Sequence, residues 1–223
     1  EDFGSECVLS EKFIKDILKS GVVDFIVSQA RAKERVKVQK ALSGKKSQRV
    51  LGIPKLEDAN LAGSKDSRHC QLILTEGDSA KALAMAGLGV VGRDKFGVFP
   101  LKGKLLNVRD ANAKTLKENV EIQAIVKILG LQFDRVYEDT DSLRYGGILI
   151  MADQDHDGSH IKGLIINFIH YFWPSLIKIN SFLKEFVTPV IKAIKQGEDP
   201  ISFFTINDYK QWSQNMLLEH PEK

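Results

Sequence analysis

Apolar and polar positions alternate along this 223-residue chain with a period that changes from element to element. Short apolar runs predict strands at Gln71–Thr75, Phe96–Leu101 and Ile148–Ala152. Helical spacing follows the first strand at Ala80–Ala86 and recurs as an amphipathic stripe at Leu116–Leu129. Strands and helices that alternate in this way predict an α/β fold with a mainly parallel central sheet flanked by helices.

The N-terminal part carries a different pattern. Ser10 is a good cap for a short helix that should end at Gly21, and a longer helical segment covers Val22–Leu42. The second half of that segment has almost no apolar face, which predicts a connector rather than a core element. Ser43–Ser47 and the glycine-containing stretches after it predict a linker that continues to about Cys70.

The C-terminal part is predicted to contain one helix end, two strands and a last helix. Pro174 should end the helix that follows the third strand. Period-two alternation then predicts strands at Phe186–Ile194 and Ile201–Thr205, joined by a turn. A final helix is expected to begin with Asp208 as its cap and to run through Trp212.

Three carboxylates, Asp153, Asp155 and Asp157, occupy every second position directly after the third predicted strand. Like charges held this close repel one another unless they stay solvated, take up protons or bind a cation. Their oxygens suit Mg²⁺, Mn²⁺ or Ca²⁺ better than zinc. The run begins like a calcium-binding EF-hand loop, but Leu164 stands where that loop needs a bidentate glutamate. The alternative without a metal is a polar loop whose aspartates cap the following helix.

Glu76 stands at the carboxyl end of the first predicted strand, and Gly77 permits a tight turn into a helix. The chain therefore contains two strand–carboxylate–helix units. In an open parallel sheet, ligands gather at the carboxyl ends of strands, so Glu76 and the three aspartates are expected to converge. Four carboxylates with cations nearby suit a divalent-metal site for phosphoryl transfer, with Glu76 as the best placed general acid or base.

Cations lie near both acidic units. Lys102 and Lys104 belong to a loop that is either an ordinary exposed loop or a set of phosphate contacts. The helix expected to start near Ser159 presents free backbone N–H groups beside His160 and Lys162. Such a helix start is suited to hold a phosphate, so we expect a phosphate or DNA contact at His160.

Two further patterns predict no site. Gly87–Gly92 matches the dinucleotide fingerprint G-x-G-x-x-G, but it follows a helix rather than a strand, and we expect a turn. His156 and His160 are four residues apart, yet they should lie on opposite sides of a loop-to-helix junction, which disfavours a zinc pair and makes His156 an exposed spacer.

Composition is ordinary for a globular protein, with 43% hydrophobic and 27% charged residues. No apolar run approaches the ~18 residues of a membrane span, so no membrane association is expected. Cys7 and Cys70 have no spacing that suggests zinc or disulfides, which favours a reducing compartment. The chain starts without Met or a signal-peptide pattern, and we expect a piece of a longer protein.

The net charge of +3 is unevenly distributed. Between Arg31 and Arg49, eight basic residues stand against Glu34 alone, a local charge of +7 that leaves −4 for the rest of the chain. A solvated helix face explains many such runs. Beside an acidic metal-type site, a run this one-sided also fits a polyanion partner, nucleic acid first.

The acidic motifs closely resemble the TOPRIM domain of eukaryotic type II DNA topoisomerases. The residues that carry the resemblance are E-G-D-S-A-K at Glu76–Lys81 and D-Q-D-H-D-G-S-H-I-K-G at Asp153–Gly163. Further matching segments are Leu9–Lys15, Gly52–Asn60, Gly87–Asp94, Gly97–Arg109, Tyr137–Asp139 and Phe186–Lys192. The resemblance implies a Rossmann-like TOPRIM domain over residues 70–187. A helical connector and linker from the ATPase region would precede it over residues 1–69, and a strand, turn, strand and helix extension would follow over residues 188–223.

The resemblance also implies a role for each carboxylate. Glu76 would be a metal ligand and the acid or base, Asp153 the ligand shared by two Mg²⁺ ions, and Asp155 a ligand of the second ion. Asp157 would be an outer or auxiliary ligand. Glu76, Asp153 and Asp155 would thus be the catalytic residues, and Mn²⁺ or Ca²⁺ can substitute for Mg²⁺ at such sites.

The family approaches DNA through cations at the corresponding positions, which implies DNA contacts at Lys81, Lys102, Lys104, His160 and Lys162. Two residues depart from the family pattern. Lys102 stands where the family usually has Arg, and Ala152 stands where it usually has Thr. Lysine keeps the charge but lacks the planar bidentate fork of arginine, so a bidentate contact is not expected there.

For the whole protein, the resemblance implies an ATP-dependent DNA topoisomerase, an isomerase that cleaves and religates double-stranded DNA during strand passage. The nucleophilic tyrosine and the ATP site of the family lie outside this chain, so the chain alone is expected to be inactive. The full-length protein is expected to be a nuclear homodimer whose partners are double-stranded DNA and its own remaining domains. The alternatives are a TOPRIM-type nuclease or primase, and a non-catalytic DNA-binding module.

Overall fold

The computed structural model describes residues 9–194 and 197–219 and confirms the α/β fold. The strands of its main sheet are β1 (Gln71–Glu76), β2 (Phe96–Leu101), β3 (Gly147–Met151) and β4 (Leu183–Glu185). Within the described residues these four strands are all parallel and lie in the order β2, β1, β3, β4. The order makes β1 and β3 neighbours, so their carboxyl ends lie side by side at one edge of the sheet.

Helices precede the sheet and pack on both of its faces. The described α-helices are α1 (Glu11–Lys19), α2 (Val22–Leu42), α3 (Gly77–Val91), α4 (Ala113–Glu118), α5 (Val120–Leu129), α6 (His156–Phe172), α7 (Pro174–Lys178) and α8 (Ile206–Glu219). A short 3₁₀ helix, Ser67–His69, leads into β1. Two more strands, β5 (Ile191–Ala193) and β6 (Ile201–Phe203), form an antiparallel pair apart from the main sheet.

Side chains of β1 alternate between two faces of the sheet, and both faces are covered. Leu72 and Leu74 lie in the main core together with α5 and α6. Ile73 faces the other side, where it packs with Val98 of β2 and Leu88 of α3. Burial on both faces explains why the strand reads as a continuous apolar run rather than as an alternating one.

The two predicted N-terminal helices are confirmed. Ser10 caps α1 by accepting a hydrogen bond from the N–H of Phe13 at 3.3 Å. Among the described helices, none is both long enough and apolar enough to cross a membrane. Of the two cysteines, Cys70 is buried with a free thiol, whereas Cys7 lies outside the described residues.

The turn predicted at Gly87–Gly92 is wrong. Helix α3 continues through Gly87 and Gly89 to Val91, and Gly92 ends it with a φ of +88°. Ala84 and Leu88 bury one face of this helix against the sheet. That packing outweighs the low helix propensity of glycine.

The single helix predicted at Leu116–Leu129 is also wrong, because the segment is divided into α4 and α5. Asn119 has extended backbone angles, and its side-chain oxygen accepts the N–H of Ile122 at 2.8 Å, which starts α5. Helix α6 begins at His156 rather than near Ser159. In both cases a side-chain cap sets the start of the helix: Asn119 caps α5 and Asp155 caps α6.

The C-terminal strands are shorter than predicted. Phe186–Ile194 is not one strand: β4 ends just before it, and only its last part forms β5. Pro189 lies between the two and has no N–H to donate to a sheet. Helix α8 begins at Ile206, because the hydroxyl of Thr205, not Asp208, accepts the capping hydrogen bond, from the N–H of Asp208 at 3.1 Å.

A buried arginine connects the predicted linker to the core through hydrogen bonds and an ion pair. The guanidinium of Arg144 is fully buried and donates to the carbonyl oxygens of Ser47 at 2.6 Å and Ile128 at 2.7 Å. It also pairs with Asp58, which accepts the phenol O–H of Tyr145. Burial, reinforced by the negative charge of Asp58, raises the pKa of Tyr145, so the phenol stays a hydrogen-bond donor. The linker is therefore a fixed part of the fold.

Replacing this arginine should destabilise the protein strongly. In Arg144→Met, the carboxylate of Asp58 and two carbonyl groups lose a buried donor. We expect the free energy of unfolding in urea to fall by about 3–5 kcal/mol. Arg49→Met is the matched control at an exposed arginine and should change it by less than about 0.5 kcal/mol. Equal losses of unfolding free energy in the two variants would contradict the structural role of Arg144.

Candidate metal and DNA site

The structure brings Glu76 and Asp153 together. Glu76 is the last residue of β1, and Asp153 follows the end of β3 by two residues. The parallel register pairs Thr75 with Met151, so the two strands end at nearly the same level of the sheet. The backbone N–H of Asp153 donates to Oε2 of Glu76 over 3.3 Å. This contact places the backbone of Asp153 beside the Glu76 carboxylate at the carboxyl edge of the sheet.

Asp155 caps helix α6. Its Oδ1 accepts the backbone N–H of Gly158 at 2.7 Å, and its own backbone is extended, as a cap requires. Gly158 allows the chain to turn closely past Asp153, because a Cβ at this glycine would lie 2.0 Å from the carbonyl oxygen of Asp153. In this structure the side chain of Asp155 therefore caps the following helix, which is the alternative to metal binding given by the sequence.

Asp157 is engaged by a cation from a different loop. Nζ of Lys104 lies 2.9 Å from its Oδ1, and both side chains are more than half exposed. This hydrogen bond and the charge of Lys104 hold the pKa of Asp157 below its usual range, and His160 and His156 act in the same direction. The loop after β2 thus faces the first turn of α6.

The predicted donors fit a hard divalent cation in chemistry but are not gathered around one point. All four are carboxylates, which suit Mg²⁺, Mn²⁺ or Ca²⁺. Within the residues that the structure describes, no three side chains of His, Cys, Asp or Glu are close enough together to hold a metal ion. Asp155 is bound to the helix start and Asp157 to Lys104. Binding of an ion by all four would require these two side chains to turn toward Glu76 and Asp153.

The five predicted DNA contacts fall into two groups. Lys81 and Lys162 are mostly buried, with side chains 17% and 14% exposed, and they form ion pairs with Glu57 at 3.3 Å and Glu185 at 2.6 Å. In each pair, the partner of the lysine is a glutamate of this chain. The exposed members are Lys102, Lys104 and His160.

The two histidines of the acidic motif lie on one helix. His156 is the first residue of α6, and His160 follows one turn later, so the predicted loop-to-helix junction between them is wrong. Both residues are exposed. No metal-binding group of three side chains includes them in the described part of the chain.

Two residues beside the site, Lys55 and Glu57, belong to the segment that the sequence predicts as an irregular linker. Lys55 pairs with Asp78, the second residue of α3, at 2.6 Å. Glu57 forms an antiparallel bridge with β2, and its carboxylate binds Lys81 and Arg93, the latter at 2.7 Å. Burial would raise the pKa of Glu57, but the hydrogen bonds from Arg93 and Lys81 outweigh it and lower the pKa. In the sequence, the feature that points to these residues is the charged run K-L-E-D inside a glycine- and serine-rich stretch.

The close turn at Gly158 gives a direct test. Gly158→Ala should destabilise the protein by about 1–3 kcal/mol, because its Cβ would overlap the carbonyl oxygen of Asp153. Gly163→Ala is the control on the same helix, where the added Cβ meets no atom within 4 Å. Alanine should stabilise a helix there by up to about 1 kcal/mol. Urea denaturation measures both, and equal effects would contradict the turn geometry.

The pair of Lys162 and Glu185 predicts a pH effect. The hydrogen bond from Lys162 holds the pKa of Glu185 below its usual range. The pair therefore stabilises the fold above the unfolded-state pKa of Glu185, and this contribution is lost as the pH falls through the lower folded-state pKa. In Lys162→Gln, a carboxyl ¹³C titration should show the pKa of Glu185 rising toward its ordinary value. Lys184→Gln, which removes an adjacent exposed charge, should raise it much less; an equal rise would contradict the assignment.

Comparisons with known proteins identify the family of this chain. A family model described as the Toprim domain matches residues 71–186. DNA topoisomerase 2 of Plasmodium falciparum (isolate K1 / Thailand) is 58% identical over 220 residues, which are 97% of this chain and 16% of that protein. DNA topoisomerase 2 of Caenorhabditis elegans is 56% identical over 218 residues, 96% of this chain and 14% of that protein. The chain thus spans less than a fifth of the length of these relatives.

A solved structure is similar in fold as well as in sequence. It is the DNA-binding, cleavage and re-ligation domain of Plasmodium falciparum topoisomerase II, with a TM-score of 0.72 and 62% identity. The match covers 76% of this chain and 23% of that one. The chain therefore belongs to the Toprim family and corresponds to the Toprim-containing segment of eukaryotic DNA topoisomerase 2.

Proposed function

We propose that this chain supplies the metal-binding carboxylates with which a type II DNA topoisomerase cleaves and religates double-stranded DNA. The observation that carries the proposal is the meeting of Glu76 and Asp153 at the carboxyl ends of two adjacent parallel strands, 3.3 Å apart from Oε2 to N. Ligands of open α/β sheets bind at this edge. The name of the similar solved structure, a DNA-binding, cleavage and re-ligation domain, supports the same activity.

In this proposal, each carboxylate has its own task. Glu76 binds a metal ion and holds or accepts a proton, Asp153 is the ligand shared by two ions, and Asp155 binds the second ion. Asp157 is an auxiliary ligand. Bound Mg²⁺, for which Mn²⁺ or Ca²⁺ can substitute, would stabilise negative charge on the attacking and leaving oxygens of the phosphodiester.

We assign the DNA contacts to the exposed cations first. Lys102 and Lys104 on the loop after β2, and His160 on α6, are exposed near the acidic edge. Lys104 pairs with Asp157, but exposed ion pairs are weak, so its ammonium can turn to a phosphate. Phosphate contacts of this kind position the duplex and carry no sequence information. Lys81 and Lys162 are paired with carboxylates inside the chain, so they position α3 and α6 and would reach DNA only if those pairs open.

The complete reaction is proposed for the longer protein. It would use ATP, pass one duplex through another, act as a homodimer and work in the nucleus, as expected of eukaryotic DNA topoisomerase 2. The other domains would supply the ATP site and the nucleophilic tyrosine, so we do not expect this chain alone to cleave DNA. A Toprim-type nuclease or primase is less favoured, because the similarity to topoisomerase 2 extends beyond residues 71–186 to 96–97% of the chain.

A substitution in the full-length enzyme tests the proposal. Glu76→Gln keeps the shape of the side chain but removes its charge and its ability to take a proton. We expect DNA cleavage and decatenation to fall by about 10²–10⁴-fold, the usual contribution of a general acid or base. DNA binding without ATP should be unchanged, and binding of Mn²⁺ to the 223-residue chain should weaken.

Glu118→Gln is the matched control, because Glu118 is an exposed glutamate on α4 and is not one of the predicted site residues. It should retain the activity of the unsubstituted enzyme. Decatenation by Glu76→Gln at the level of this control would refute the catalytic role of Glu76 and favour a non-catalytic DNA-binding module.

A further inference from the structure

The opposite edge of the sheet contains a cavity that the proposed function does not use. It has a volume of about 470 Å³ and lies at the amino ends of the strands, next to Gln71 of β1 and Phe96 of β2. Gln71 and Glu76 occupy the two ends of the same strand, roughly 16 Å apart at the rise of a parallel strand. The cavity is therefore separate from the carboxylate edge.

Basic side chains surround this cavity. Its lining includes Arg68, His69 and Lys184, and no Asp or Glu among the described residues. Nε of Arg68 donates to Nε2 of His69 at 3.1 Å, and within the described part of the chain the terminal Nη groups make no hydrogen bond. A guanidinium with its terminal N–H groups available, beside a lysine, presents the donors that bind phosphate or carboxylate oxygens.

The backbone that carries Arg68 is held in place. A Cβ at Gly146, the residue before β3, would lie 1.8 Å from the carbonyl oxygen of Arg68, so the 3₁₀ helix packs directly on that glycine. Ser181, another lining residue, has a φ of +69°, which is uncommon for a residue other than glycine. Strained residues of this kind are frequent at ligand sites.

The side chain of Gln71 also lines the cavity. Its Oε1 is shielded from solvent and, within the described residues, has no hydrogen-bond partner. The amide lies over Gly147, where a Cβ would come within 2.7 Å of Oε1. Because Oε1 is shielded, a ligand in the cavity would meet the other end of the amide, Nε2, which can donate to a phosphate oxygen.

We propose that this cavity binds the phosphate group of a small molecule, either hydrogen phosphate or a phosphate monoester. Arg68 and Lys184 would bind the anionic oxygens, and Gln71 would donate through Nε2 to a phosphate oxygen. The volume is within the range of small-molecule pockets and exceeds that of phosphate alone. Phe96, Leu149 and Ile179 offer apolar walls for the organic part of a monoester. This proposal does not depend on the metal site.

Titration of the 223-residue chain tests it. Inorganic phosphate, adenosine monophosphate and a short DNA duplex would each be added while ¹⁵N resonances are followed. We expect both small ligands to shift the side-chain amide of Gln71 and the backbone amide of Gly146, with adenosine monophosphate binding more tightly. Arg68→Gln and Lys184→Gln should each weaken binding about tenfold, as loss of a charge-assisted contact does.

Lys114→Gln is the control, because it removes one exposed charge on α4 outside the cavity. It should leave the affinity unchanged. Equal weakening by this control would show general charge attraction and overturn the proposal, as would the absence of shifts at Gln71 with millimolar phosphate. Shifts with the duplex but with neither small ligand would assign the cavity to DNA phosphates and overturn it too. The substituted side chains are exposed, so native spectra are expected for all three variants.

Discussion

The parallel pairing of β1 with β3 is the constraint on which the candidate site depends. The two strands run in the same direction with Thr75 opposite Met151, so both deliver a carboxylate to the same edge of the sheet. Burial of β1 on both faces fixes its register, because a shift by one residue would exchange the side chains of the two cores. The hydrophobic core thus determines the distance between Glu76 and Asp153, which are distant in sequence.

Three of the four crowded acids have a partner of their own, which relieves part of their repulsion. Glu76 accepts the N–H of Asp153, Asp155 accepts the N–H of Gly158, and Asp157 pairs with Lys104. These contacts are mostly exposed, and exposed pairs contribute little to stability. A divalent cation, with its larger charge, can therefore replace these contacts at a small cost in free energy. The site thus combines a rigid sheet edge with side chains whose present partners a cation can replace.

The sequence was sufficient for the fold class and for the acidic edge, because both follow from short-range patterns. Apolar runs identify the strands, and the carboxylates follow them directly. It was insufficient where a distant contact decides the outcome. Helix α3 continues through its glycines because it packs on the sheet, and the linker is ordered because Arg144 is buried against it. The internal ion pairs of Lys81 and Lys162 depend on partners 24 and 23 residues away, which periodicity does not reveal.

The most direct test of the account is a map of where a paramagnetic divalent cation binds. Mn²⁺ added to the ¹⁵N-labelled chain broadens the resonances nearest to it. The account predicts that the amides of Glu76, Asp153 and Asp155 broaden first and together, and that excess Mg²⁺ restores them. Broadening centred on another acidic stretch, such as Glu138–Asp141, with these three amides unaffected, would contradict it.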